Sequence, residues 1–190
     1  MTMSQCRARL RGASIRFREL PGSSAPRVRG PILVSPHLDQ VRFEAAGQRT
    51  GLGLVDCRLA AALLTWAPML QDAGVVQVDH YSTYRPGARV RSRGRLSGHA
   101  RALAIDAARF HLRDGRVLTV ENDWSERERG GEPCPVRADE PPASQLLRRV
   151  ICQAVERDLF QVVITPHHDR DHQDHVHLEL VPHVAWSFVH

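Results

Sequence analysis

The chain of 190 residues is 42% hydrophobic and 25% charged, a balance that suits one globular domain with a real core and excludes a disordered or low-complexity protein. All 26 basic residues are arginine, and the formal charge of +5 by itself would admit nucleic acid. The arginines read as scattered and the few aromatic residues supply no stacking platform, so no nucleic acid is expected, while a basic surface would equally suit an anionic cell-envelope polymer.

Residues 1–30 read as a loosely ordered basic segment, punctuated by Pro21-Gly22-Ser23-Ser24-Ala25-Pro26, ahead of a domain spanning 31–190. The opening residues lack an apolar stretch long enough for a signal-peptide core, and no run of about 18 apolar residues could span a membrane. A strand or two fits residues 32–46. Asp56 is placed to cap a helix whose Leu59, Leu63, Leu64 and Ala67 recur at helical spacing, with Pro68 disturbing its later turns and Gly74 stopping it. Residues 75–84 form a strand, and Asp114-Gly115 turns a hairpin between 105–112 and 116–121. A charged, Gly- and Pro-rich surface loop follows over 126–142, then a helix capped by Ser144 with Leu146, Leu147, Val150, Ile151, Ala154 and Val155 on one face. Strands at 160–164 and around His175-Val176-His177 close an α+β fold, in which a small antiparallel sheet carries the functional site and two helices cover its opposite face.

That site is read from two separated clusters. The segment Ser97-Gly98-His99-Ala100-Arg101-Ala102-Leu103-Ala104-Ile105-Asp106 offers one imidazole and one carboxylate, and His172-Gln173-Asp174-His175-Val176-His177 offers more imidazoles. Two histidines and an aspartate make the three-ligand set of a catalytic zinc, with the fourth position left for water. In a strand, His175, His177 and Glu179 share one face while Val176, Leu178 and Leu180 face the core, so one imidazole can bind metal while its neighbour handles a proton. Ala100, Ala102 and Ala104 are small enough to let the backbone carrying His99 fold close to Asp106, and Ser97 can hydrogen-bond locally. His167 and His168 read as solvated loop residues, and Arg85 as a candidate for binding a substrate carboxylate or an oxyanion. The four cysteines lack CxxC spacing, which argues against a thiolate zinc site. Cys57 and Cys152, both in predicted helices, are either an inter-helix disulfide or two reduced core residues.

These phrases resemble the bacterial extensin-like C-terminal domain family, within the zinc peptidase superfamily of lysostaphin-type enzymes, D-Ala-D-Ala metallopeptidases and the hedgehog domain. The resemblance is carried in order by Cys57-Arg58-Leu59-Ala60-Ala61-Ala62-Leu63, Ser82-Thr83-Tyr84, Arg95-Leu96-Ser97-Gly98-His99-Ala100, Ala104-Ile105-Asp106 and Asp174-His175-Val176-His177-Leu178. It implies that His99, Asp106 and His177 bind Zn2+, that His175 is the catalytic partner and that His172 supports it. It also implies peptidoglycan stem peptides or cross-links as substrate and an envelope or periplasmic location, although residence inside the cell stays open. The chain departs from the pattern where Arg85-Pro86-Gly87 and the Arg29-Gly30 region stand in place of expected cysteines, and where Ala102 replaces a glycine. The expected activity is zinc-dependent amide hydrolysis with a histidine as base, since no HExxH glutamate is present. The alternative from another class is a catalytically silent zinc module that recognises wall peptides or a protein partner. A histidine-metal nuclease fits the zinc-like ligand set less well.

Overall fold

The computed structural model of the chain describes residues 1–48, 50–90, 94–125, 127 and 132–190. In chain order the helices are α1 (Met3–Gly12), α2 (Cys57–Asp72), α3 (Val120–Asp123) and α4 (Pro142–Glu156). The strands are β1 (Phe17–Glu19), β2 (Pro31–Val34), β3 (His37–Leu38), β4 (Val41–Ala45), β5 (Leu54–Asp56), β6 (Val75–His80), β7 (Ala104–Leu112), β8 (Val117–Thr119), β9 (Val162–Ile164), β10 (Val176–Glu179) and β11 (Phe188–Val189).

The α+β class holds, but the sheet is larger than expected and mixed. Eight strands run in the order β11-β9-β10-β7-β6-β4-β3, with β8 beside β7, and the β4–β6 and β9–β11 pairs are parallel. A separate antiparallel sheet joins β1, β2 and β5. Local alternation in short strands announces their faces but not their partners, which is why strand number and direction escaped the sequence.

The first 30 residues are the clearest correction. Instead of a loose entry they hold α1, whose Thr2 side chain and Gln5 form a reciprocal capping box, and β1. Cys6 and Leu10 are fully buried, and Cys6 is disulfide-bonded to Cys57 at the start of α2. The other bridge joins Cys134 to Cys152, so neither the Cys57–Cys152 bridge nor a reduced pair is formed. The geometry is simple: α1 lies across the start of α2, and the loop bearing Cys134 folds back on α4.

Helix α2 begins where Asp56 Oδ1 accepts from the Arg58 N–H (3.0 Å), and Gly74 with φ +82° follows its end. It runs through Pro68 to Asp72; burial of Met69 and Leu70 beyond the proline offsets the one missing backbone bond. Ser144 is not the cap of α4. The helix opens with Pro142 in its first turn, while buried Ser144 accepts from the Ser125 N–H (3.2 Å) and donates to Glu140 Oε2 (3.4 Å). Of the expected loop over 126–142, Glu126 and residues 128–131 lie outside the described residues. The rest is fastened from beneath: Arg148 donates to Glu140 Oε2 (2.8 Å), Pro133 O (2.7 Å) and Ser125 O (2.5 Å) and sits 4.5 Å over the Trp124 ring.

One face of the large sheet makes the core. Phe43, Val78, Phe110, Ala107, Ile105, Val176 and Leu178 cluster with Leu59, Leu63 and Trp66 of α2 and with Leu147, Val150 and Ile151 of α4. Phe110 and Ala107 could not share a face in a regular strand. They do so because the register shifts between Asp79↔Arg109 and His80↔Ala107, leaving Ala108 as an extra residue in a bulge. The same shift puts Asp106 on the opposite, helix-free face. Trp66 is the pin of the core: its ring packs on Phe43, Phe110 and Phe160 at 6.4, 6.3 and 6.0 Å, and its Nε1–H donates to Val150 O (2.9 Å). No helix among the described residues is long and apolar enough to cross a membrane. Trp66→Ala is expected to cost about 3–5 kcal/mol in urea unfolding, the loss typical of a fully buried aromatic; a cost below about 1 kcal/mol would refute this role.

Candidate metal centre

His99 sits in a 3-10 turn, Gly98–Arg101, whose start is capped by Ser97 Oγ accepting from the His99 N–H (3.4 Å). The turn ends at Ala102, which adopts a left-handed φ of 53° at some steric cost, and the chain then enters β7. Asp106 lies on β7 directly opposite His177 on β10 in the antiparallel register. Core-facing Val176 and Leu178 flank His177, so its ring must point to the same open face as Asp106.

Three atoms converge there. His99 Nε2 and Asp106 Oδ1 are 2.9 Å apart, His177 Nδ1 and Asp106 Oδ1 are 2.9 Å apart, and the two imidazole nitrogens are 3.1 Å apart. All three residues are buried, and the group could hold a metal ion. The remaining polar atoms of each side chain point outward to a partner of its own. His99 Nδ1 faces Thr83 O (3.3 Å), which can only accept, so that nitrogen carries the proton and Nε2 presents its lone pair inward. His177 Nε2 donates to Glu179 Oε2 (3.3 Å), directing Nδ1 inward. Asp106 Oδ2 accepts from Ser82 Oγ (3.0 Å) and from Arg85 Nη2 (3.4 Å), leaving Oδ1 for the centre. Such outer partners orient ligands and tune their basicity.

The electrostatics follow from this packing. Burial raises the Asp106 carboxyl, but its contacts with His177 and His99 more than reverse it and hold it well below the usual carboxylate range. Burial holds His99 below its ordinary value. Burial also depresses His177, but its bonds to Asp106 and Glu179 win and lift it to about 9. The metal-free centre therefore keeps a proton on His177 Nδ1, in the place a cation would take.

The other sequence-selected residues surround this triad. His175 Nε2 lies 3.6 Å from Asp106 Oδ1, and its Nδ1 donates to Asp174 Oδ1 (2.7 Å). The Tyr81 ring meets His175 edge-on at 5.7 Å. His172 lies 5.1 Å from the His175 ring and 6.1 Å from that of His177, with its own Nδ1 on Asp169 Oδ1 (2.6 Å). Arg85 reaches Asp106 while its side chain is 55% exposed, so its guanidinium borders both the centre and solvent. His168 is exposed as expected, but His167 is not a solvated loop residue. It is buried, accepts from the Arg127 N–H (3.1 Å) and lies 3.3 Å from Arg148 Nη2, within the network that fastens the loop over α4.

Sequence reading did not assign roles to Glu179, Asp174, Asp169, Tyr81 or Ser82. The i, i+2 spacing of His177 and Glu179 was the one available signal for the first. Glu179 also accepts from the Gly98 N–H (3.1 Å) and from Arg101 Nη2 (3.1 Å), tying both halves of the motif together. A Cβ on Gly98 would come within 2.5 Å of Glu179 Cδ, so glycine is required for this close approach.

A family model described as the extensin-like protein C-terminus matches residues 4–189, which takes in α1 as well as the metal centre. No curated protein and no solved structure matches the chain. Gly98→Ala is expected to push the Glu179 carboxylate off His177 and weaken divalent-metal binding by at least about tenfold in a competition titration. Unchanged affinity would show that Glu179 does not support the centre.

Proposed function

Because the chain belongs to the extensin-like C-terminus family, we propose that it is a zinc-dependent hydrolase of amide bonds, acting on the peptides of peptidoglycan in the cell envelope. One observation carries this reading: three inward-pointing N and O donors, 2.9–3.1 Å apart, lie beside two histidines whose Nδ1 atoms are each held by a carboxylate. Donors about 2.0–2.2 Å from a tetrahedral zinc sit roughly 3.3–3.6 Å apart, so the triad needs to open by only about half an ångström. Two nitrogens and one oxygen favour zinc over magnesium or calcium, which prefer all-oxygen shells.

A zinc ion held by His99 Nε2, Asp106 Oδ1 and His177 Nδ1 would polarise the scissile carbonyl and lower the pKa of water to about 7. His175 is the general base. Asp174 keeps the proton on its Nδ1, so Nε2 is the lone pair that takes the proton of the attacking water and later returns it to the leaving amine. Asp174 also balances the imidazolium formed in between, and the edge of Tyr81 limits rotation of the ring. His172, set in the same way on Asp169, stands where it can donate to the oxyanion or share the proton work. Arg85 would take a substrate carboxylate or the developing negative charge.

Digestion of purified peptidoglycan by the zinc-loaded protein should release new muropeptides by mass spectrometry, and His175→Ala should release none while retaining its zinc. Absence of fragments from zinc-replete wild type would replace the hydrolase with a silent wall-binding module. Asp174→Asn should lower kcat by about 10- to 100-fold at unchanged zinc content; full activity would remove Asp174 from the mechanism. The pH dependence of metal binding follows from His177. Its folded pKa is raised from 6.5 to about 9, so a proton competes with the metal at every pH below that value. Apparent zinc affinity should therefore climb by about tenfold per pH unit from 6.5 toward 9, and a flat profile would contradict a protonated His177 in the metal-free state.

A further inference from the structure

The bulge in β7 also decides where an arginine points. Asp106 and Arg109 are three residues apart, and in a regular strand they would face opposite sides of the sheet. The register shift between Asp79↔Arg109 and His80↔Ala107 absorbs Ala108, so Arg109 emerges on the same helix-free face as Asp106 while Phe110 beside it returns to the core. Ala108 is buried and Arg109 is exposed. No carboxylate among the described residues forms an ion pair with Arg109. Asp79, directly opposite on β6, is already taken by His111 Nε2 (2.9 Å) and Gln77 Nε2 (2.7 Å). Tyr81 links Arg109 to the centre. Its N–H donates to Asp106 O (3.0 Å), and its ring, edge-on to His175, belongs to a residue that is 43% exposed. Burial raises the Tyr81 hydroxyl above its ordinary value and the Arg109 charge works against that rise, which makes the two side chains neighbours.

We propose that Arg109 is a specificity-determining residue, which binds a free carboxylate of the peptide substrate at a distance from the amide that enters the metal centre. The substrate class rests on the hydrolase reading above. Three residues of strand carry Arg109 up to about 10 Å from Asp106. An extended peptide covers that span in about three residues, so the carboxylate belongs to a residue roughly two or three places from the bond that is cut. The exposed Tyr81 ring lines the path from one to the other. An unpaired guanidinium fork accepts a carboxylate in two parallel hydrogen bonds without first giving up an internal ion pair. Arg85 differs on that point, because it is already held by Asp106 at the centre itself. The two arginines therefore serve different parts of the substrate: Arg85 the reacting group, Arg109 a remote anionic one.

The test uses the full-length zinc-loaded protein and two synthetic stem pentapeptides, one with free side-chain carboxylates and one with those carboxylates amidated. Calorimetric binding to the His175→Ala protein, which separates recognition from turnover, should be at least about fivefold tighter for the free-acid peptide. Adding R109Q should collapse that preference. Adding R113Q, which removes an exposed arginine just past the end of β7, should leave it in place. In active protein R109Q should raise KM for the free-acid peptide by the same factor. Equal binding of the two peptides, a preference that R109Q keeps, or one that R113Q loses as well overturns the proposal, the last because it would reduce the effect to general charge. If the Arg109-dependent preference is present but active protein cuts neither peptide, the carboxylate subsite stands and the hydrolase reading falls.

Discussion

The antiparallel register that places Asp106 of β7 opposite His177 of β10 is the constraint on which the rest of the molecule depends. A slip of one residue would turn Asp106 toward the core and bring Ile105 or Ala107 out to meet His177. The apolar halves of both strands prevent that slip, because Ile105, Ala107, Val176 and Leu178 are all buried beneath α2 and α4. Core packing and site geometry are thus one decision made twice, once on each face of the sheet. The bulge at Ala108 lets β7 change phase, so that it serves the core with Phe110 at one end and the centre with Asp106 at the other.

Carboxylates do most of the organising work around the histidines. Glu179 holds His177, Asp174 holds His175 and Asp169 holds His172, each from the ring nitrogen that faces away from the centre. The three pairs differ in burial. Glu179 is enclosed and also anchored by Gly98 and Arg101, whereas Asp169 and Asp174 border solvent.

Outside the centre the chain is fastened by cross-links between distant segments. Cys6–Cys57 ties α1 to the start of α2, and Cys134–Cys152 ties the long loop to α4, each closing a loop of the unfolded chain. Two bridges suit an oxidising compartment. Arg148 reinforces the second bridge, and three carbonyl or carboxylate partners make its complete burial tolerable.

The sequence by itself determined the helix boundaries at Asp56 and Gly74, the alternation around His177, and the group of residues that meet at the site. Each is a local signal: a cap, a terminating glycine, a two-residue period, a set of donor types. Only the tertiary structure decided what depended on contacts between distant segments. It joined eight strands into a mixed sheet, paired Cys6 with Cys57 rather than Cys57 with Cys152, and buried His167 against Arg148. It also gave Asp174, Asp169 and Glu179 their partners. Local periodicity says which face a residue occupies, but which residue it meets there is set by long-range register and packing.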